Sequence, residues 1–259
     1  MHFYELLVNG PVFRADVETL PQARKLVEAG IRIVASVTTK LSIFPKPYLE
    51  GWARSEAARL ARKYPLLSIP EIVARVYGVR VHPETGEEIL SAPFGILVHK
   101  QLEDALSPNQ TSPWSNPPYA KFVNPFLDWF KEKQFSVVSC ETIVSGYNTA
   151  GQVDLIAKHK GKVCLFDYKT REGGTGGIKK KAYSSDCMQL AIEAEMVMNE
   201  MKLSYRPDVY TVIIDSNSGE THPKKWTDTA VDKAVVEAKF IFHHYDDIYR
   251  LHPLRCETY

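Results

Sequence analysis

Two acidic side chains lie opposite each other in a predicted β-hairpin. The segments 154–157 and 163–166 are apolar apart from Asp154 and partly β-branched, and Lys160-Gly161 lies between them. Apolar runs that are separated by a glycine-containing turn are typical of a hairpin. A turn centred on Lys160-Gly161 pairs Asp154 with Asp167 and places their Cβ atoms about 4.5–5.5 Å apart.

These facing carboxylates predict a metal site. Like charges that face each other on neighbouring strands repel, so a stable sheet needs a reason to keep them. A divalent cation supplies that reason, because hard cations bind carboxylate oxygens. Lys169 lies two residues after Asp167 and therefore projects from the same face of the strand. Two carboxylates with an adjacent ammonium group suit metal-assisted hydrolysis of a phosphodiester.

A third carboxylate, that of Glu141, extends the row by one strand. Residues 135–145 have the composition of a strand, and the next three, Gly146-Tyr147-Asn148, that of a turn. A turn centred on the last two of these residues pairs Glu141 with Asp154. The three carboxylates then lie side by side on neighbouring antiparallel strands, and a slip of one residue in either register would separate them.

The order of these residues resembles the PD-(D/E)XK nuclease superfamily. Its core motifs are matched by Glu141, by the Gly-x-x-Asp that ends at Asp154, and by Asp-Tyr-Lys-Thr at 167–170. The resemblance implies an α/β nuclease fold in which these residues form the active site. It also implies that the substrate is DNA.

Two further motifs resemble the RecB-type exonuclease branch of that superfamily. One is Gly-x-x-x-His on an upstream helix, here at 95–99, and the other is Gln189-Leu190 on the helix after the Asp-x-Lys strand. The core resemblance covers residues 94–194. The segment 36–52, which begins Ser-Val-Thr-Thr-Lys-Leu, is similar to the front end of phage and mitochondrial genome-maintenance exonucleases.

The resemblance implies roles for individual side chains. It implies that the catalytic residues are Glu141, Asp154, Asp167, Lys169 and Gln189. It implies that Mg²⁺ or Mn²⁺ is held by His99, Asp154, Asp167 and the carbonyl group of Tyr168. Lys169 would orient the attacking water and stabilise charge on the phosphate, and Gln189 would position Lys169 or that water. Without the resemblance, His99 near the edge of an apolar helical face would be interpreted as structural.

Several polar and basic residues are expected to contact DNA. They are Ser36, Thr38, Arg171, Lys179, Lys180 and Lys181. The three lysines are the densest basic run in the chain and follow four glycines within residues 173–177. A solvated linker is the alternative interpretation of this run. Arg54, Arg59 and Arg62 share another helical face, which is either solvated or in contact with phosphates.

Composition limits the class of protein but does not by itself indicate DNA binding. The chain has 259 residues, 44% of them hydrophobic, and a net charge of +1 from 32 basic and 31 acidic residues. Any phosphate-binding surface must therefore be a local patch. No run approaches the ~18 apolar residues of a membrane helix, and no signal peptide is visible. We expect a cytoplasmic protein of phage or bacterial origin with no membrane partner.

The cysteines are too far apart in sequence to predict a metal cluster. They are Cys140, Cys164, Cys187 and Cys256. Some relatives in the RecB-type branch hold an iron–sulfur cluster through one upstream cysteine and three clustered downstream cysteines. That spacing is lacking here, so the sequence predicts no iron–sulfur cluster and reduced thiols instead.

The pattern of elements predicts an α/β protein. We expect a central mixed β-sheet flanked by helices, in αβββαβ order from Gly95 to Asp215, with a final helix from Asp228 to Leu251. Residues 1–93 are expected to form a mostly helical lobe, and residues 94–259 the nuclease core. The two parts are expected to make one compact unit.

The favoured function is a metal-dependent DNA exonuclease that acts on single- or double-stranded ends in recombination, repair or replication. Its expected protein partner is a single-strand annealing or replication protein. A structure-specific or restriction-type endonuclease is one alternative. A non-catalytic nucleic-acid-binding protein on the same fold is another, although the intact Asp167-x-Lys169 motif argues against it.

Overall fold

The computed structural model describes residues 1–43, 47–107, 114–172, 182–249 and 251, with the backbone alone for 47–50 and 52. The N-terminal elements are β1 (Phe3–Leu7), β2 (Gly10–Phe13), α1 (Leu20–Glu28), β3 (Ile33–Ala35), α2 (Val37–Leu41), α3 (Pro47–Lys63), α4 (Ile69–Arg75), β4 (Val79–Val81) and β5 (Glu88–Leu90). One small sheet has the strand order β2-β1-β3, and β4 pairs with β5 in another. Capping residues mark where helices begin: Thr19 and Gln22 form a capping box at the start of α1.

The remaining elements form the core. They are α5 (Ser91–Leu106), a 3₁₀ turn (Pro117–Tyr119), α6 (Ala120–Glu132), β6 (Ser136–Gly146), β7 (Thr149–His159), β8 (Lys162–Arg171), α7 (Ser184–Glu200), β9 (Asp208–Asp215), β10 (Thr221–Lys225) and α8 (Asp228–Tyr249). Among the described helices, none combines the length and the apolar character that crossing a membrane requires.

The central sheet is mixed and has the strand order β10-β9-β8-β7-β6. Strands β6, β7 and β8 are antiparallel neighbours, while β8 and β9 run parallel. A parallel pair needs a crossover connection, and α7 provides it. The predicted α/β class and mixed central sheet are therefore confirmed, and the αβββαβ order is found with two helices, α5 and α6, before the first strand.

Helices cover both faces of this sheet, and β8 contributes to both apolar layers. Leu165 packs in the cluster that contains the buried residues of α7 and α8. Phe166 and Tyr168 pack in the other cluster, with α5 and α6. Because side chains alternate along a strand, Asp167 and Lys169 lie on the same face as Leu165, toward α7.

The sequence predicted fewer strands than the structure has. Strand β10 pairs with β9 at the edge of the central sheet. Its residues, Thr-His-Pro-Lys-Lys, lack apolar alternation, and Pro223 is tolerated because it lies on an edge strand. Residues 1–93 were expected to form a mostly helical lobe, and within this part β1, β2 and β3 form a three-stranded sheet.

The N-terminal part is joined to the core by buried polar contacts. The hydroxyl group of Thr149 donates a hydrogen bond to the carbonyl oxygen of Ala35 over 2.6 Å. Lys40, which is fully buried, donates to the carbonyl oxygen of Asn148 over 2.7 Å and to the carboxylate of Asp246 over 2.6 Å. These contacts link α2, the β6–β7 turn and α8.

Candidate active site

The β7–β8 hairpin has the predicted register. Leu155 pairs with Phe166, and the ladder continues in that register to the end of the hairpin. Lys160 and Gly161 both have positive φ angles, of 50° and 81°, as a tight two-residue hairpin turn requires. The ladder ends at Leu155 and Phe166, so the two aspartates are the next residues on strands that separate there.

Asp154 bridges the gap between the separating strands. Its Oδ2 atom accepts a hydrogen bond from the backbone N–H of Tyr168 over 2.6 Å. Strand β8 remains paired with β9 as far as Arg171, so only its edge toward β7 is open. The site therefore lies where β7 ends its pairing with β8.

Asp167 is the most deeply buried of the predicted carboxylates, with 2% of its surface exposed. Its Oδ1 atom accepts a hydrogen bond from Lys169 Nζ over 2.6 Å. Within the described residues, its Oδ2 atom is buried and has no hydrogen-bond partner. Burial raises the pKa of Asp167 to about 7; Lys169 opposes this shift and Asp154 adds to it.

Lys169 lies between Asp167 and α7. Besides its contact with Asp167, its Nζ atom donates to Gln189 Oε1 over 3.4 Å. Burial by itself would lower the pKa of Lys169, but the attraction of Asp167 and Asp154 outweighs it and raises the pKa above the usual value. The side chain is therefore a fixed ammonium group.

Glu141 lies in the predicted register but in an unexpected backbone conformation. The flanking pairs, Cys140 with Leu155 and Thr142 with Val153, have the predicted alignment. Glu141 itself has a φ of 50°, in the left-handed region. Non-glycine residues held there are strained, and such strain clusters at functional sites.

The Glu141 side chain reaches the same cavity as Asp154. Its Oε2 atom accepts a hydrogen bond from Gln152 Nε2 over 2.7 Å. Burial, with a smaller contribution from Asp154, raises the pKa of Glu141 to about 7. Sequence analysis therefore predicted correctly that these two carboxylates lie close together. It did not predict the hydrogen bond from Gln152 to Glu141.

A close approach of α5 to β8 brings His99 to the site. A Cβ atom on Gly95 would lie 2.8 Å from Thr170 Oγ1, so the glycine of Gly-x-x-x-His permits this approach. One turn later, His99 Nδ1 lies 3.6 Å from Asp154 Oδ2. Burial lowers the pKa of His99, against the opposing effect of Asp154. A neutral imidazole is the form that binds metals.

Tyr168 presents its backbone and its ring to different environments. The N–H group of Tyr168 donates a hydrogen bond to Asp154. A hydrogen bond between the backbone of Tyr168 and His99 raises the pKa of that histidine, against the effect of burial. The ring packs edge-on against Phe126 with centroids 5.2 Å apart. Tyr168 therefore reaches the site through its main chain, where its carbonyl was expected to act.

The carboxylate and carbonyl oxygens at the site are of the type that binds a hard cation. Their present spacing is set by the hydrogen bonds among these side chains, not by a common metal ion. Among the described residues, no group of three or more His, Cys, Asp or Glu side chains is close enough together to hold a metal ion. The buried Asp167 Oδ2, which lacks a partner in the same described part of the chain, is a suitable ligand atom. A bound cation would compete for the aspartate oxygens that now accept hydrogen bonds from the N–H group of Tyr168 and from Lys169.

If His99 is a metal ligand of a metal-dependent enzyme, His99→Ala should weaken metal binding rather than only destabilise α5. If His99 is a ligand, the Mn²⁺ concentration for half-maximal cleavage should rise roughly 10-fold or more. Titration of both proteins with Mn²⁺ measures this. His243→Ala, at an exposed position on α8, is the control and should leave the midpoint unchanged. An unchanged midpoint for His99→Ala would return this histidine to a structural role.

The residues expected to contact DNA differ in their placement. Ser36 is buried and accepts a hydrogen bond from the backbone N–H of Thr39, which caps α2, while Thr38 is exposed. Both line the cavity beside Glu141 and Asp154. The run Lys179–Lys181 lies outside the described residues.

Arg171 is engaged within the protein. Its Nη2 atom donates to both carboxylate oxygens of Asp186 over 2.8 Å, and its guanidinium lies 4.3 Å from the centre of the Tyr183 ring. A phosphate would have to compete with this ion pair. The expectation that Arg171 contacts DNA stays a prediction.

Sequence analysis missed one buried acid in the site. Glu193 has 1% of its surface exposed and accepts a hydrogen bond from Gln189 Nε2 over 3.2 Å. Burial, together with Asp167 and Asp154, raises its pKa well above the usual value. Because Glu193 follows Gln189 by four residues, helical spacing alone would have placed it on the same face.

Comparisons with known proteins add little to this description. No family model matches the chain, and no curated protein matches it. A crystal structure from Eubacterium rectale named "Putative exonuclease" aligns over 92% of this chain and 70% of its own, with 12% identity and a TM-score of 0.38. The crystal structure of SSO0001 aligns over 90% and 95%, with 13% identity and a TM-score of 0.31. Both are distant likenesses.

Proposed function

We propose that the chain is a metal-dependent deoxyribonuclease that removes nucleotides from DNA ends. The observation that supports it is the meeting of two carboxylates, Asp154 and Asp167, with the ammonium group of Lys169 and the imidazole of His99. They meet where two paired strands separate, and three of them are contributed by the strands themselves. Buried like charges at such a place destabilise a sheet, so a functional reason for them is favoured.

In this proposal the cation is Mg²⁺ or Mn²⁺, held by Asp154, Asp167, His99 and the carbonyl oxygen of Tyr168. When bound, it supplies positive charge that stabilises the attacking oxygen and the phosphoryl oxygens. Asp167 meanwhile anchors Lys169 through its Oδ1 atom.

Lys169 is the catalytic cation that the chain itself contributes. Asp167 and Gln189 hold its ammonium group from two sides, so little reorganisation is needed when charge develops on the phosphate. Glu141, on the other side of Asp154, supports the site through its carboxyl group. Contacts with phosphates carry no sequence information, so cleavage should show little sequence preference.

A time course on covalently closed circular DNA and on the same DNA after linearisation tests the end requirement. We expect Mn²⁺-dependent digestion of the linear form while the circle stays intact. Nicking or linearisation of the circle would instead indicate an endonuclease. Binding of both forms without cleavage would indicate the non-catalytic alternative.

The run Lys179–Lys181 is proposed to hold DNA rather than to do chemistry. Replacing all three lysines with alanine should weaken binding of all DNA sequences alike. Each lost phosphate contact lowers the slope of log affinity against log salt by roughly 0.7–0.9, so the slope should flatten by up to about 2–3 units. Turnover at saturating DNA should change little.

Binding isotherms at several salt concentrations measure that slope. Lys131→Ala/Lys133→Ala, at exposed positions near the end of α6, is a control for general loss of positive charge. A triple variant with wild-type affinity and slope would make the run a solvated linker.

A further inference from the structure

A chain of hydrogen bonds runs from Glu193 to the catalytic carboxylate. Glu193 Oε1 accepts from Gln189 Nε2 over 3.2 Å, and Gln189 Oε1 accepts from Lys169 Nζ over 3.4 Å. Lys169 Nζ in turn donates to Asp167 Oδ1 over 2.6 Å. Glu193 is three hydrogen bonds away from Asp167 along this chain, and the proposed chemistry does not use it.

The amide group of Gln189 can be oriented in two ways, and Glu193 favours one of them. An amide has an acceptor oxygen at one end and two N–H donors at the other. With Glu193 accepting from the nitrogen, the oxygen is left facing Lys169. The reverse orientation would place N–H donors against an ammonium group, which has no acceptor.

The backbone of β7 leaves room for this carboxyl group. A Cβ atom on Gly151 would lie 2.9 Å from Glu193 Oε1 and 3.3 Å from Glu193 Cγ. It would also lie 3.2 Å from Val37 Cγ2. Gly151 is the glycine of the Gly-x-x-Asp motif that ends at Asp154. The strand segment that carries Asp154 therefore also leaves room for the Glu193 carboxyl group.

We propose that Glu193 is a positioning residue that fixes the Gln189 amide and, through it, the ammonium group of Lys169. This inference rests on the proposed nuclease function for its kinetic consequences. Its structural content, an ordered Lys169 that depends on Glu193, holds whether or not the chain cleaves DNA.

Glu193→Gln and Glu193→Leu test the proposal by steady-state cleavage. The glutamine variant keeps an acceptor for Gln189 Nε2 and should keep most of the wild-type kcat. The leucine variant removes it and should lower kcat roughly 10- to 100-fold, as loss of positioning does, with little change in KM. Glu195→Leu, on the same helix but paired with Lys239, is the control and should keep the wild-type kcat.

A double variant separates positioning from general damage. If Glu193 acts through Gln189, then Glu193→Leu/Gln189→Leu should lower kcat no more than Gln189→Leu alone. Effects that multiply would show that the two residues act separately and would overturn the proposal. Gly151→Ala should lower kcat as well, and less so in a Glu193→Ala background, where the obstructing carboxyl group is gone.

The ¹⁵N resonance of the Lys169 ammonium group gives a readout that does not need cleavage. It is identified by its loss in Lys169→Ala. It should shift or broaden in Glu193→Leu and stay near its wild-type position in Glu193→Gln and Glu195→Leu. An unchanged resonance in Glu193→Leu would overturn the positioning role. If Glu193→Leu does not fold, Gly151→Ala takes its place in this measurement, and an unchanged resonance there would overturn the role in the same way. Absence of cleavage by the wild type would overturn only the proposed function.

Discussion

Lys169→Ala should lower the rate of DNA cleavage roughly 10²- to 10³-fold, because it removes a fixed positive charge from the site where negative charge develops. Asp167→Ala should have a comparable effect, since it removes both the anchor of Lys169 and a proposed metal ligand. Single-turnover cleavage at saturating DNA measures the chemical step.

Lys162→Ala is the matched control for this prediction. Lys162 is an exposed lysine at the other end of the same strand, and its removal should leave the cleavage rate unchanged. Thermal melts of each variant separate loss of chemistry from loss of fold. Near-wild-type cleavage by folded Lys169→Ala would contradict the assignment of the active site.

Lys40→Met should destabilise the protein by about 3–5 kcal/mol, the usual cost of removing one partner from a buried ion pair. Without Lys40, the buried carboxylate of Asp246 loses its cationic partner and keeps the hydrogen bond from the side-chain amide of Asn148. The same change also removes the link from α2 to the carbonyl oxygen of Asn148. Urea unfolding, with the midpoint and the slope fitted together, measures the effect.

The double variant Lys40→Met/Asp246→Asn should recover part of the lost stability, because no uncompensated charge remains buried. Lys133→Met serves as a control, since its ion pair with Glu132 is exposed and such pairs contribute little. Two outcomes would contradict a stabilising link between α2 and α8 through Lys40 and Asp246. One is that Lys40→Met unfolds at the wild-type midpoint, and the other is that the double variant is less stable than Lys40→Met.

Local patterns were enough to predict the positions of the core carboxylates. The register of the β7–β8 hairpin follows from a two-residue turn at Lys160-Gly161 and from apolar runs on both sides. Because side chains alternate along a strand, that register also placed Lys169 on the face of Asp167. The same reasoning gave the alignment of β6 with β7 on both sides of Glu141.

Features that depend on long-range packing were not predictable from local patterns. Lys40 meets Asp246 across 206 positions in the chain. The pairing of β7 with β8 stops at Leu155, and next to it Asp154 accepts a hydrogen bond from the backbone N–H of Tyr168. The positive φ of Glu141 likewise has no signal in its residue type, because non-glycine residues rarely adopt that conformation.

The most direct test of the central claim is digestion of one linear duplex and its separated strands, labelled at either the 5′ or the 3′ end. Wild-type protein is incubated with Mn²⁺ or with chelator, and Asp167→Asn is run beside it. We expect label to be released as short products with Mn²⁺ and not with chelator, and Asp167→Asn to release almost none. Intact labelled strands after incubation of folded wild-type protein with Mn²⁺ or Mg²⁺ would contradict a metal-dependent nuclease.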